Sequence, residues 1–321
     1  MIRSQLATDV PLFISALQSG DLPALQRVPK SDLHNHSILG TRIESVESWL
    51  QKPLQRAQKR MTSLDEMIKY AHDVLYPHTD TFTGFQFTAQ SAIEDAIQDG
   101  VTILEMSLDM RFISLFEKGP EDFFDFVAGL VKTYKNRIDF RPEIGMSKDR
   151  SPADQIHLAS LCIQSGVFRS IDLYGNETAQ PPEPYRDIYI EARKRGLKLK
   201  AHAGEFAGPE DISHTLDILQ VDEVQHGVTA ALSKPLMDRL QRERIRLNIC
   251  PSSNVALGVV SDIAHHPIRT LVDNNVQVTV NSDDLMIFGQ SVSQEYLLLY
   301  QSGVFTANEL DEIRRGGLSP R

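Results

Sequence analysis

The sequence predicts an α/β protein, a (β/α)8 TIM barrel with a helical insertion after its first strand. Three observations carry that prediction. Eight strand-like runs recur along 321 residues, most of them separated by helix-like segments. Repeated β-then-α units mark a parallel sheet, and eight of them favour closure into a barrel at this chain length. Histidine, glutamate and aspartate also gather at the C-terminal ends of these runs, where barrel enzymes place their sites.

The elements follow in chain order. Residues 9–26 carry Leu12, Leu17, Leu22 and Leu25 at helical spacing, which predicts a helix capping one end of the fold. The strand candidates are "VPKSDLHNH", "VTILEMSLD", "FRPEIG", "FRSIDLYGN", "LKLKAHAGE", "DEVQHG", "IRLNICPSSN" and "VQVTVNSDD". Segments such as "GPEDFFDFVAGLVKTYKNR" and "PEPYRDIYIEARKRG" are the intervening helices. The stretch 41–90, between the first two strands, is long for a βα connection. Within it "TSLDEMIKYAHDVL" spaces Ser63 and Glu66 as a capping box and sets Met67, Tyr70, Val74 and Leu75 on one helical face. A helix inserted there sits over the barrel mouth, as a lid with an apolar underside or as a peripheral packing helix. No repeat, low-complexity tract or Pro/Gly-rich linker divides the chain, so residues 1–321 read as one domain.

Composition narrows the function classes. With 41% hydrophobic residues the chain can bury a large core. A formal net charge of -10 argues against a nucleic-acid polymer as partner and suits a small uncharged or cationic substrate. Two cysteines, Cys162 and Cys250, do not make a disulfide framework. The first twenty residues lack the apolar run and cleavage site of a leader, and no run of about 18 apolar residues predicts a membrane span. The expectation is a soluble, cytoplasmic protein; oligomeric state is left open.

The polar residues at strand ends carry the chemistry. In "KSDLHNHSILG", His34 and His36 lie two apart and so share one side of a strand. Two adjacent imidazoles make sense when both stay neutral and hold a metal. Strand five ends with His202 and Glu205, strand six with His226, and strand eight with Asp283 and Asp284. Each alone has an ordinary explanation, a carbonyl-bonded histidine or a helix-capping aspartate. Their convergence on one rim points to a shared site. Three imidazoles and a carboxylate suit Zn²⁺, which acidifies a bound water. Glu205 can protonate a ring nitrogen, His226 can orient the water or take its proton, and Asp284 can bond substrate or a ligand. "FRSIDLYGN" ends without a lysine to bridge two metals, and Asp172 sits mid-run in a structural position, so one metal is expected.

These pieces, "DLHNH", "IDLYGNE", "HAGE", "QHG", "CPSSN" and "NSDD", run in order over residues 30–284. Together they resemble the adenosine deaminase family of the amidohydrolase superfamily. The resemblance implies a (β/α)8 barrel with one zinc held by His34, His36, His202 and Asp283. It implies that Glu205 protonates the purine N1, that His226 serves the attacking water, and that Asp284 contacts the N7 side. The Gly175 backbone would meet N3, with His36 also facing the substrate. The implied reaction is hydrolytic removal of the 6-amino group of a purine nucleoside, adenosine to inosine plus ammonia.

Two departures stand out. Family members commonly read HxHLDG after strand one, with the Asp on the sugar 5′-hydroxyl. Here Ser37, Ile38 and Leu39 occupy that stretch without a carboxylate. Family members usually continue with a further helix or two beyond the point reached by "LDEIRRGGLSPR", so either a shortened barrel closure or a truncated chain is expected. Adenine, 5′-modified adenosines and N6-substituted purines are alternative substrates. "DLHNHS" also resembles the polymerase and histidinol phosphatase superfamily, but "SDDLM" stands where a D-x-H is expected. A non-catalytic zinc-binding protein is the alternative of another class, and Glu205, His226 and Asp284 argue against it.

Overall fold

The computed structural model describes residues 2–319. Its strands are β1 (Lys30–His36), β2 (Val101–Asp109), β3 (Asp139–Ser147), β4 (Ser170–Tyr174), β5 (Lys198–Ala203), β6 (Glu223–His226), β7 (Arg246–Ile249) and β8 (Gln277–Val280). Each pairs in parallel with the next in chain order, and helices alternate with them. The eight make a nearly closed barrel. Its seam is sealed past the end of β8, where the Asp283 N–H donates to the His34 carbonyl at 3.0 Å. Beside it the Leu33 N–H donates to Asn281 Oδ1 at 2.8 Å.

The strands are shorter than the apolar runs suggest. β8 stops at Val280, so Asp283 and Asp284 lie in the turn before the helix Leu285–Phe288 rather than on the strand. Asn281 takes over the edge bonding, and Asp283 turns the chain with a left-handed φ of 57°. "IRLNICPSSN" divides at Pro251, which opens the helix Pro251–Ala256 because its missing N–H costs nothing in a first turn. Glu205 likewise lies two residues past β5.

At the chain start, the helix Ile2–Ser19 packs on the helix Ala307–Leu318. Leu17 and Leu25 are buried there, whereas Leu12, expected on the apolar face, is 40% exposed. The helix Ala307–Leu318 lies over β8 and β1, so the closing position is filled. Gly317 permits that approach, since a Cβ there would meet Ser31 Oγ at 2.2 Å.

Five helical segments fill the insertion after β1, among them Leu64–Tyr70 and its π-helical continuation Ala71–Leu75. Ser63 Oγ accepts from the Glu66 N–H, but Glu66 bonds the Thr62 N–H and hydroxyl instead of Ser63. The capping box is therefore half formed, displaced by one residue. Met67 and Leu75 are buried and Tyr70 and Val74 half-buried, as one shared face requires.

Candidate active site

Strand parity sets the site. Asp32, His34 and His36 alternate along β1, and Lys200 and His202 along β5, so each set points to one side. His202 Nε2 lies 3.1 Å from His34 Nε2. Asp283 Oδ1 lies 3.4 Å from His34 Nε2 and 3.5 Å from His36 Nε2. His226 and Asp283 both adopt left-handed backbone, φ 60° and 57°, which non-glycine residues hold only where surroundings enforce it.

The donor set fits a metal, and the partners on the far side of each ring show why. His34 Nδ1 faces the Asn248 carbonyl at 3.1 Å, so that nitrogen carries the hydrogen and Nε2 a lone pair. His202 Nδ1 faces the Asp172 carboxylate at 3.1 Å, with the same consequence. Two lone pairs thus point at each other across 3.1 Å, an arrangement that repels unless a cation lies between them. The neighbouring distances of 3.1–3.5 Å match the edge of a tetrahedron with bonds of about 2.0–2.1 Å, near 3.3 Å. Cys250 Sγ touches His34 at Nδ1, 3.3 Å away, on the side turned from this point. Asp172 is fully buried and acts on His202, which gives its expected structural place a specific content.

Around this point stand the other expected residues. Glu205 Oε2 is 3.5 Å from His226 Nε2, and Asp283 Oδ2 is 3.9 Å from the same atom. Burial raises the Glu205 carboxyl well above its usual range, with Asp283 and Glu177 adding. Burial lowers His226 to about 3, opposed by Asp283. Asp284 is raised to about 7 by burial and by Asp283. It sits at the N-cap of Leu285–Phe288 without capping it, and its buried Oδ1 has no hydrogen-bond partner.

His36, Gly175, His202, Glu205, His226, Asp283 and Asp284 all line one cavity of about 300 Å³, in the range of small-molecule sites. Ser37, Ile38 and Leu39 line it too, as do Leu64, Met67, Ile68 and Tyr76 from the insertion. At Gly175 the φ is +96° and a Cβ would meet Asp149 Oδ2 at 2.3 Å, so glycine is required.

Several neighbours carried no role in the sequence reading. Glu177, inside "YGNE", accepts three backbone N–H groups, from Glu205, Phe206 and Ala207, at 2.8–3.0 Å. It ties the loop of Gly175 to the loop of Glu205. Asn254, the last residue of "CPSSN", donates to Glu205 Oε1 at 3.0 Å. Arg111 pairs with Asp80 and Asp109 at 2.8 and 3.0 Å on the cavity wall. Motif membership could have flagged Glu177 and Asn254; nothing local marks Arg111.

A barrel with an imidazole–carboxylate cluster on the C-terminal rim of its strands is the architecture of the amidohydrolase-type hydrolases. The chain belongs to the adenosine deaminase family, whose model, described as "Adenosine deaminase", matches residues 32–319. These are hydrolytic deaminases acting on C–N bonds of purines. A Treponema pallidum protein whose provisional name is adenosine/adenine deaminase is 34% identical over 278 residues, covering 87% of this chain and 93% of that protein. The crystal structure of adenine deaminase from Arthrobacter aurescens superposes with a TM-score of 0.78 at 23% identity, over 90% of this chain and 92% of that one. A Burkholderia ambifaria amidohydrolase structure with bound Zn gives 0.78 at 19% identity, over 92% and 85%. The last two are likenesses of fold.

Proposed function

We propose that this chain hydrolyses the 6-amino group of a purine nucleoside, adenosine to inosine and ammonia, with one zinc per chain. The observation that supports this most is the pair of facing lone pairs on His34 and His202, closed in by His36 and Asp283, with a buried carboxyl beside them. In this reading His34, His36, His202 and Asp283 hold the zinc. When bound, zinc supplies a water acidic enough to deliver hydroxide near neutral pH.

The chain's own groups do the rest. Glu205, kept protonated by burial, gives its proton to purine N1, which makes C6 more electrophilic as water adds there. His226 orients that water. Asp284 bonds at the N7 side and the Gly175 backbone at N3, which fixes the base in the cavity. The carboxylate left on Glu205 takes one proton of the added water and the other passes to the 6-amino group, so ammonia leaves C6 and inosine remains with its 6-oxo group and N1–H.

A second reading covers adenine and 5′-modified adenosines. Ile38 and Leu39 line the cavity where a carboxylate would grip a 5′-hydroxyl, and both are buried. An apolar wall removes the demand for that hydroxyl, and losing a polar partner from a site built around one costs about 1–3 kcal/mol. The test is release of ammonia from adenosine, 5′-deoxyadenosine, 5′-methylthioadenosine and adenine, and of methylamine from N6-methyladenosine, compared as kcat/KM. Adenosine and 5′-deoxyadenosine are expected within about tenfold of each other. A larger advantage for adenosine would show that the hydroxyl is read, and no amine released from any of them would end the proposal.

A further inference from the structure

His266 belongs to no motif and does not line the cavity, yet it is buried behind the site. The Ile268 N–H donates to His266 Nδ1 at 3.1 Å, so that nitrogen is an acceptor. The hydrogen of the neutral ring therefore sits on Nε2, which faces Asn254 Oδ1 at 3.4 Å. That contact fixes which way the Asn254 amide points. Its NH₂ group is left facing the site, 3.0 Å from Glu205 Oε1 and 3.2 Å from His226 Nδ1. One amide hydrogen goes to each. His226 Nδ1 is then an acceptor, and its ring hydrogen is on Nε2, the atom facing Glu205 and Asp283. His226, Asn254 and His266 are at most 2% exposed, so bulk water does not compete for these bonds.

We propose that Asn254 and His266 are positioning residues that fix His226 in the Nε2–H tautomer, so that His226 serves the reaction as a hydrogen-bond donor to the oxygen added at C6 and not as the base that deprotonates it. The two roles assigned to this imidazole on sequence grounds are thereby separated. A backbone N–H at position 268 sets one ring, that ring sets an amide, and the amide sets the second ring and steadies the acid Glu205 at the same time. No group in the relay changes charge, so the device works at any pH at which both rings are neutral. The proposal rests on the deaminase reading only for its kinetic consequence; the tautomer itself is a property of the folded chain.

The experiment uses full-length, zinc-loaded protein and three variants, with adenosine or the best aminopurine as substrate. His266→Leu fills the space but cannot donate to Asn254. His266→Gln offers an amide N–H near the Nε2 position. Asn254→Asp replaces the donor to His226 with an acceptor. His266→Leu and Asn254→Asp are expected to lower kcat roughly ten- to a hundredfold, the scale for groups that orient site residues, with KM changed less than about threefold. His266→Gln is expected to recover most of kcat. ¹⁵N spectra of histidine-labelled protein should show His226 with a protonated Nε2 and an unprotonated Nδ1, and the pattern should shift or mix in His266→Leu and Asn254→Asp. A protonated Nδ1 on His226 in the parent protein would overturn the proposal. So would His266→Leu with kcat within twofold of the parent, or His266→Gln as impaired as His266→Leu. Should His266→Leu fail to fold, the spectrum of the parent and the kinetics of His266→Gln still decide the matter. Absence of deaminase activity in the parent would sink the functional reading and leave the spectrum to judge the relay.

Discussion

His202 and Glu205 stand three residues apart, and their surroundings assign them opposite chemistry. The His202 ring is oriented through Nδ1 by Asp172, which leaves Nε2 as a lone pair toward the rim. Glu205 is buried against Asn254 and His226, where burial favours the protonated carboxyl. The two should therefore separate under mutation. His202→Ala is expected to lower bound zinc sharply from one equivalent, because it removes one of four converging donors. Glu205→Gln keeps the shape and the zinc but cannot give up the same proton, and should lose on the order of 10²–10⁴-fold in kcat. Metal analysis beside turnover on the best aminopurine checks both. Two tightly held metals in the parent, or near-full activity in Glu205→Gln, would contradict these assignments. At this scale the sequence was legible where chemistry and parity coincide, as in the alternation of His34 with His36. It was silent where a role depends on a partner far along the chain, as Asp172 on His202 or His266 on Asn254.

Among the elements, the one that steadies the "CPSSN" turn is the helix Val292–Gln301. Its Glu295 carboxylate accepts the Ser252 N–H at 3.2 and 3.3 Å, in the first turn of Pro251–Ala256, the short helix that also carries Asn254. Burial raises Glu295 to about 8, opposed by the Ser252 N–H and reinforced by Asp283 and Asp32. The unfolded value is the ordinary one near 4.5, so between these values the folded chain holds a proton that the unfolded chain has lost. Stability from this group is full below about pH 4.5 and declines as pH rises through about 8. Glu295→Gln keeps an acceptor oxygen and stays neutral. Its Tm relative to the parent should therefore rise steadily from pH 5 to pH 8. Parallel Tm curves for the two proteins would show that Glu295 ionises normally in place. The strands of this barrel were readable because each is an apolar run ending in a polar group. Their ends were not, because turn geometry decides them: Pro251 converts the end of one run into helix, and another stops at Val280, before the chain turns at left-handed Asp283.

Across the whole molecule, the barrel is held from within by charge as well as by apolar packing. Lys200 Nζ, fully buried on β5 two residues before His202, lies 2.7 Å from Glu105 Oε2 on β2 and 2.8 Å from Glu143 Oε2 on β3. It also donates to the Leu33 carbonyl of β1 at 2.8 Å. Glu223 on β6, buried with Arg246 of β7 at 3.3 Å and Lys198 at 3.1 Å, extends the cluster. Six of the eight strands thus meet in one ionic layer beneath the site. The layer holds more carboxylates near Lys200 than one ammonium can balance. Despite burial, Lys200 and Lys198 hold Glu105 down to about 2, while burial, opposed by Lys200, leaves Glu143 raised to about 7. Glu143 also accepts from Ser170 Oγ at 2.7 Å, so near neutral pH it can carry a proton without losing its partners. Removing the shared cation and removing one acid should therefore differ. Lys200→Met leaves buried carboxylates uncompensated and is expected to cost about 3–5 kcal/mol. Glu143→Gln replaces a group that is partly neutral already, and should cost much less. Urea unfolding monitored at pH 7, with unchanged m and a lowered midpoint for Lys200→Met, measures both. A Lys200→Met protein within about 1 kcal/mol of the parent would mean that the layer relaxes or admits water, and that apolar packing alone keeps β1, β2, β3 and β5 in register under the site.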